Sequence, residues 1–323
     1  MKKIKYDPDN LQSFEKEWGI HKKCKEWWYA TGFLQDGDGN LYSYHYNVLR
    51  LHLGIVTPKL VMAAFTDFRG GNHHYMQRAA LGNKNVVISG NEASYANLAS
   101  AKRESDGFRI DLNHKDFKLS VKAKYGKGAF WHCDNGKLQM ALPAKKETTL
   151  YYSYTNMPTE GTAVYGGRTL EVKGKTWFDK QGGSYSIMKR ETNSEWFSLR
   201  FHDDEEMMLF AFPQSDYRDG TYITVDSKSE RLTDYVLKTT KVIEKNGLKW
   251  SSGWDLYVSG KKEERYTITP ILEGKMNFAY FEELCRVLNP KGAEVGLCFV
   301  ELLPGVLNEG KINSKNLFEA VEY

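Results

Sequence analysis

Several things are scarce in this chain of 323 residues, and each scarcity excludes something. There are four cysteines, Cys24, Cys133, Cys285 and Cys298, far apart and with no CxxC pair. That spacing excludes a zinc ribbon or a disulfide framework and points to reduced, buried thiols. There are eight histidines, and His73-His74 has no third ligand at metal spacing. No HExxH occurs, so the sequence predicts no metal site. No window approaches the roughly 18 apolar residues of a membrane span. The two glycine pairs Gly166-Gly167 and Gly182-Gly183, like Gly70-Gly71, match no phosphate-binding loop and are expected in turns, so no nucleotide cofactor is expected. There is no GxSxG nucleophile elbow and no alternation of strand and helix patterns. Net charge is only +4, with 45 basic residues interspersed among 41 acidic ones; Lys145-Lys146 and Lys261-Lys262 are pairs, not patches. The footprint of a nucleic-acid binder is therefore missing. No apolar stretch follows the basic start Met1-Lys2-Lys3, so the expected compartment is the cytoplasm, a processed secreted form being the alternative.

What is abundant is aromatic: 20 Tyr, 16 Phe and 8 Trp, 14% of the chain. Aromatic side chains favour strands, and Tyr and Trp add a polar tip suited to ligand cavities. Alternation of period two dominates. In 41–52, Tyr42, Tyr44, Tyr46 and Val48 share one face while Ser43, His45 and Asn47 share the other. The preceding Asp36-Gly37-Asp38-Gly39-Asn40 predicts a hairpin tip. Further strands are predicted at 27–34, 59–66, 86–89, 108–112, 118–124, 148–155, 168–172, 196–202, 207–212, 222–225, 235–242, 254–258, 266–270 and 295–302. Helical signals are few: Asp9-Asn10 ahead of Leu11, Phe14 and Trp18, and the spacing of Phe281, Leu284 and Leu288 in 278–288, where a strand is the alternative. Short strands with Gly, Asn and Asp turns predict an all-β sandwich or barrel. Their number exceeds the eight or so of one small barrel, so two domains are expected, 1–185 and 186–323.

An ordered set of segments then carries a resemblance. Glu26-Trp27-Trp28-Tyr29-Ala30-Thr31-Gly32, Ala63-Ala64-Phe65-Thr66-Asp67, Tyr151-Tyr152-Ser153-Tyr154-Thr155 and Val172-Lys173-Gly174-Lys175-Thr176-Trp177-Phe178-Asp179-Lys180-Gln181-Gly182 occur in sequence. Trp196-Phe197-Ser198-Leu199, Trp250-Ser251-Ser252-Gly253 and the segment 296–302 complete the set. Together they resemble the AttH and carotenoid 1,2-hydratase (CrtC) family over roughly residues 26–302. The resemblance implies two lipocalin-like β-barrels packed together, with the Trp177 signature near their junction. It also implies an apolar polyene or isoprenoid ligand and, in hydratases, protonation of an alkene followed by water capture. The family's Asp-His-Glu run is here Asp179-Lys180-Gln181, and its Trp-Glu-Gly motif is here Phe281-Glu282-Glu283.

Candidate site residues follow from parity and chemistry. Asp179 lies two residues after Trp177, on the same strand face, where burial beside an indole would raise its pKa and fit it to donate a proton. The alternative is an Asp179 bonded to turn amides beside Gly182-Gly183. Asp67 shares the face of Val61, Ala63 and Phe65, and a basic neighbour such as His73, His74 or Arg69 is its expected partner. Asp179 would be the proton donor with Asp67 and Tyr154 assisting, and Tyr152, on the face of Tyr154, would bind the ligand. Glu301 shares the face of Leu297 and Phe299, and a bridge to an arginine is its structural alternative. Trp27, Tyr29, Trp177, Trp196 and Gln181 are the expected lining for the ligand, one tryptophan of Trp27-Trp28 closing the barrel floor. The expected function is cofactor-independent acid–base catalysis, a hydratase or cyclase acting on a hydrophobic small molecule. The alternative is a non-catalytic carrier. The sequence sets no oligomeric state.

Overall fold

The computed structural model describes residues 3–82, 84–140, 147–185, 193–245, 247–261, 263–275, 277, 281–303 and 318–323. The pair Lys145-Lys146, the residue Lys262 and the start of the expected second domain, 186–192, lie outside the described residues. A single four-residue helix, α1 (Phe14–Glu17), opens the fold, begun by Ser13 rather than by Asp9 or Asn10. Long antiparallel strands follow: β1 (Lys25–Asp36), β2 (Leu41–Arg50), β3 (Lys59–Asp67) and β4 (Asn72–Ala80). The β1–β2 tip forms where the sequence places it, because Asp36 Oδ1 accepts the amides of Asp38 and Asn40 while Gly39 takes φ +78°. Short strands come next: β5 (Val86–Ile88), β6 (Glu92–Tyr95), β7 (Ala99–Arg103), β8 (Gly107–Asn113) and β9 (Phe117–Lys124). Then β10 (Ala129–Trp131) and β11 (Lys137–Gln139) lean on a long ribbon, β12 (Thr148–Tyr165) and β13 (Arg168–Ser184). Gly182 and Gly183 lie inside β13 and are not a turn; a Cβ on Gly183 would stand 2.0 Å from the Thr148 carbonyl oxygen.

The second half holds β14 (Ser194–Phe201), β15 (Glu206–Phe212), β16 (Tyr217–Ile223), β17 (Ser229–Leu232) and β18 (Tyr235–Thr239). A separate two-stranded hairpin follows, β19 (Val242–Lys245) with β20 (Leu248–Ser251). The half closes with β21 (Trp254–Val258), β22 (Arg265–Pro270), β23 (Phe281–Leu288) and β24 (Glu294–Leu303). The strand alternative for 281–288 is therefore the one formed: β23 pairs with β22 and β24 and is buried on both faces over 282–285. Positions 278–280 lie outside the described residues. The last strand, β25 (Val321–Glu322), returns to pair with β4.

Besides that hairpin, the described residues form two sheets, one of 14 strands and one of nine. Each curls around its own apolar core, as two lipocalin-like barrels do. Across the first core, Tyr46 donates to the Ala93 carbonyl at 2.5 Å and Phe65 stacks on Phe117 at 5.1 Å. The glycine of the opening motif has a packing reason: a Cβ on Gly32 would meet the Tyr44 ring at 2.1 Å. A third apolar cluster, which includes Tyr29, Tyr151, Trp177, Trp196, Leu284 and Phe299, joins the two sheets face to face. All four cysteines are free and buried. Among the described residues, no helix is long and apolar enough to cross a membrane.

Candidate functional site

Because strand neighbours point to opposite faces, β13 divides its signature in two. Phe178 and Lys180 face the first barrel's interior, and Trp177, Asp179 and Gln181 face the second sheet. Register brings Tyr29 of β1 and Ser153 of β12 to either side of Asp179. The second sheet presents Trp196 and Arg200 from β14, Glu282 from β23 and Glu301 from β24, with Glu301 directly opposite both Trp196 and Glu282.

Asp179 is the centre of this face. Its side chain is 3% exposed. Trp177 Nε1 donates to its Oδ1 at 2.6 Å and Ser153 Oγ donates to the same oxygen. Both bonds favour the carboxylate, yet burial outweighs them and pushes the pKa up to about 7. With both donors on Oδ1, the proton of the neutral acid sits on Oδ2. No described cation lies within ion-pair distance of Asp179. Behind Ser153 stands His132, Nε2 at 2.7 Å from Ser153 Oγ, its ring stacked 5.9 Å from Trp177. Burial lowers the His132 pKa to about 3, so the ring is neutral; since Ser153 donates to Asp179, Nε2 carries the ring hydrogen. Trp196 Nε1 donates to the Tyr151 hydroxyl at 3.0 Å, and that hydroxyl stands beside Asp179.

Two further acids face the same space. Tyr29 donates to Glu282 Oε1 and Asn277 Nδ2 to Glu282 Oε2, each at 2.6 Å, with His45 Nδ1 3.2 Å from the latter oxygen. Glu301 is pushed well above the ordinary carboxylate range by burial first, then by the charges of Glu282 and Asp179. The bridge from Glu301 to an arginine is not formed among the described residues. Arg200 turns elsewhere: it donates to Thr31 Oγ1 at 2.7 Å and lies over the rings of Trp177, Phe33 and Phe299 at 5.3–5.6 Å. The result is a set of buried carboxyls that cannot all ionise, walled by indole and phenyl faces.

The structure gathers Asp179, Trp177, Trp196, Tyr29 and Glu301 here, with Trp27 at one end beside Tyr185, ring centroids 6.1 Å apart. Gln181 shares the face and donates to Thr149 Oγ1 at 2.9 Å. Three candidates go elsewhere. Tyr152 and Tyr154 point into the first barrel, Tyr152 donating to the Phe14 carbonyl and Tyr154 packing on Phe108 and Tyr125. Their face-mate on the site side is Tyr151, one residue off in parity. Asp67 lies on the inner face at the far end of β3, where Oδ1 accepts the Gly70 amide at 2.9 Å and no described basic residue pairs with it. Five residues of β3 and three strands separate it from the level of Asp179, on the order of 20 Å. Trp28 is the inner tryptophan, its Nε1 donating to the Trp18 carbonyl at 3.1 Å.

Sequence reasoning missed His132, Ser153, Glu282, Arg200 and Asn277, which only register and the second sheet bring to Asp179. One signal was available for Ser153, since it alternates with the two inward tyrosines. For metal, one described group, His74, His114 and Asp116, has ligand atoms within 4.8 Å of one another. Nδ1 of His114 accepts the Asp116 amide, while Nε2, which has no hydrogen-bond partner among the described residues, faces Glu322 at 3.3 Å.

Among curated proteins, none matches the sequence. Solved structures do. An AttH-assigned protein from Nitrosomonas europaea superposes with a TM-score of 0.82 at 17% identity, covering 93% of this chain and 99% of its own. Kievitone hydratase from Nectria haematococca gives 0.70 at 16% identity, covering 87% and 89%. CghA with Sch210972 gives 0.53 at 8% identity, covering 88% and 89%. At these identities the likeness is one of fold. The family model described as AttH-like matches residues 5–305, nearly the whole chain, and the chain therefore belongs to the AttH-like family.

Proposed function

We propose that the face between the two sheets is an acid–base site for an apolar small molecule, with hydration or cyclisation of an isoprenoid- or polyene-like alkene as its reaction class. One observation carries this reading: a carboxyl with a pKa of about 7, Asp179, buried without an ion-paired cation between the indoles of Trp177 and Trp196. An acid with that pKa is half-protonated near neutrality and can transfer a proton to an alkene. The aromatic faces would stabilise the cation that forms. Ser153, backed by His132, and Trp177 hold Oδ1 and leave Oδ2 to donate, and Glu282, fixed by Tyr29 and Asn277, would orient the attacking nucleophile. Residues 1–185 and 186–323 would then be the two domains that share the site, with β25 returned to the first. The neighbour named kievitone hydratase supports this class of chemistry.

The carrier reading has one observation in its favour. The signature's histidine and glutamate positions hold Lys180, committed to ion pairing inside the barrel, and Gln181, which cannot donate a proton. Incubation with isoprenoid alkenes in ¹⁸O-labelled water separates the two. Hydration predicts labelled product and cyclisation an unlabelled isomer, either one about 10²- to 10⁴-fold less with Asp179→Asn and formed at rates that fall as pH rises through about 7. An alkene recovered bound and unchanged would establish the carrier.

A further inference from the structure

Apolar side chains that stand in water at a hairpin tip mark an interaction surface when they cluster. The β2–β3 connection is such a tip. It is an ordered extension of the hairpin: Leu51 donates to the Pro58 carbonyl at 2.9 Å and Leu53 to Val56 at 3.0 Å, with Gly54 at φ +79°. Leu53, Ile55 and Val56 nevertheless face solvent, Ile55 fully at 102%. The end of β4 lies beside them, because Lys59 opposes Ala80 and its Nζ donates to the Gly82 carbonyl at 3.1 Å. Leu81, 79% exposed, therefore joins the same end of the sheet. Ile55 and Leu81 are the two most exposed large apolar side chains among the described residues.

The surrounding charge is mainly basic, Glu147 beside Lys25 being the acid that acts on this end. Lys3, Lys22 and Lys23 are exposed at this end. Lys3, Lys23, Lys25 and Arg50 all act on His52, three residues before the Ile55 tip. The acid nearest in register, Glu26, is buried and already bonded to Arg50 and Lys180. A convex apolar tip inside a cationic collar suits a flat anionic surface with an apolar layer beneath it, whereas a helix or strand of a protein partner needs a groove or a free edge.

We propose that this end of the first sheet docks on an anionic lipid bilayer. Leu53, Ile55, Val56 and Leu81 enter the boundary between headgroups and acyl chains, and Lys3, Lys22 and Lys23 meet the headgroup anions. The same strand ends carry Trp27 at the rim of the inter-sheet site. Asp179 lies level with Tyr29, three residues along β1 from Glu26, about 10 Å from the strand end. The docking stands whether or not Asp179 is catalytic, since neither the tip nor the collar takes part in that chemistry.

Flotation of the full chain with vesicles tests it, using phosphatidylcholine alone and phosphatidylcholine with roughly a third phosphatidylserine, at low and high salt. Binding to the anionic vesicles is expected, weakened by salt. The double variant Ile55→Glu, Leu81→Glu should lose about tenfold or more in vesicle affinity. Lys22→Glu with Lys23→Glu should lose about fivefold or more. All four positions are exposed, so thermal midpoints should stay at the wild-type value. Absence of binding to either vesicle, equal binding to both, or binding indifferent to Ile55→Glu and Leu81→Glu would overturn the proposal. So would self-association that Ile55→Glu abolishes, which would make the tip a contact between copies.

Discussion

Asp179 and Lys180 are neighbours in the chain, both nearly sealed from water, and opposite in their chemistry. Lys180 points into the first barrel, donates to Glu26 at 3.0 Å and lies 4.4 Å over the Trp28 ring. Glu26 also takes Arg50 at 3.1 Å and His21 at 2.8 Å, and His21 reaches Glu17 at 2.7 Å. Burial alone would raise the Glu26 pKa, but Lys180 and then His21 hold it below the usual value. Asp179, on the other face of the same strand, has donors but no ion-paired cation; the charge of Arg200 acts on it least, and burial wins. One end of the barrel interior thus balances its charges, while the face between the sheets leaves its acids unbalanced. The difference marks which cluster is built to stay fixed and which to exchange protons.

The largest expected effect strikes the balanced cluster. Glu26→Gln strands Lys180 and Arg50 in the interior and should cost about 3–5 kcal/mol in denaturant titrations. It should also remove the acid-side loss of stability, because a depressed folded pKa contributes stability that disappears as pH falls through it. Asp179→Asn should do the reverse. The folded pKa of about 7 exceeds the unfolded value near 4, so the native acid costs nothing below pH ~4 and costs progressively more up to pH ~7. Asparagine keeps an acceptor for Trp177 and Ser153. The variant should therefore be more stable above pH 7, by at most about 4 kcal/mol, with no gain below pH ~4. Thermal melts across that range check the sign, and equal effects of the two substitutions would erase the contrast between the clusters.

Smaller effects sharpen the same comparison. Tyr151→Phe and Tyr152→Phe each remove one buried hydroxyl for about 1 kcal/mol. Only Tyr151→Phe should move the pH midpoint of Trp177 and Trp196 fluorescence upward, because the Tyr151 hydroxyl helps hold the Asp179 carboxylate. Tyr152 bonds the Phe14 carbonyl on the other face and should leave that midpoint unchanged.

Much of this was legible along the chain. Alternation located strands such as β2, β3 and β15, and the Trp177–Asp179 spacing put the acid beside the indole. The weakly alternating β4, β6 and β7 escaped, since their faces are half-polar or small. Glycine misled at Gly182-Gly183, where close approach of β1 to the first and of β12 to the second, and not a turn, requires it. Tyrosine identity misled at Tyr152 and Tyr154, because parity within a strand does not say which face meets the second sheet.

The amino-acid sequence by itself determined that the chain forms antiparallel strands with aromatic faces, and that Asp179 shares a face with Trp177, since both follow from a side-chain period of two. Only the tertiary structure decided that this face meets Trp196, Glu282 and Glu301, that His132 reaches Ser153, and that Lys180 is paired inside the barrel. Parity is local, whereas the desolvation and mutual repulsion that raise these acids depend on groups more than a hundred residues apart being pressed together.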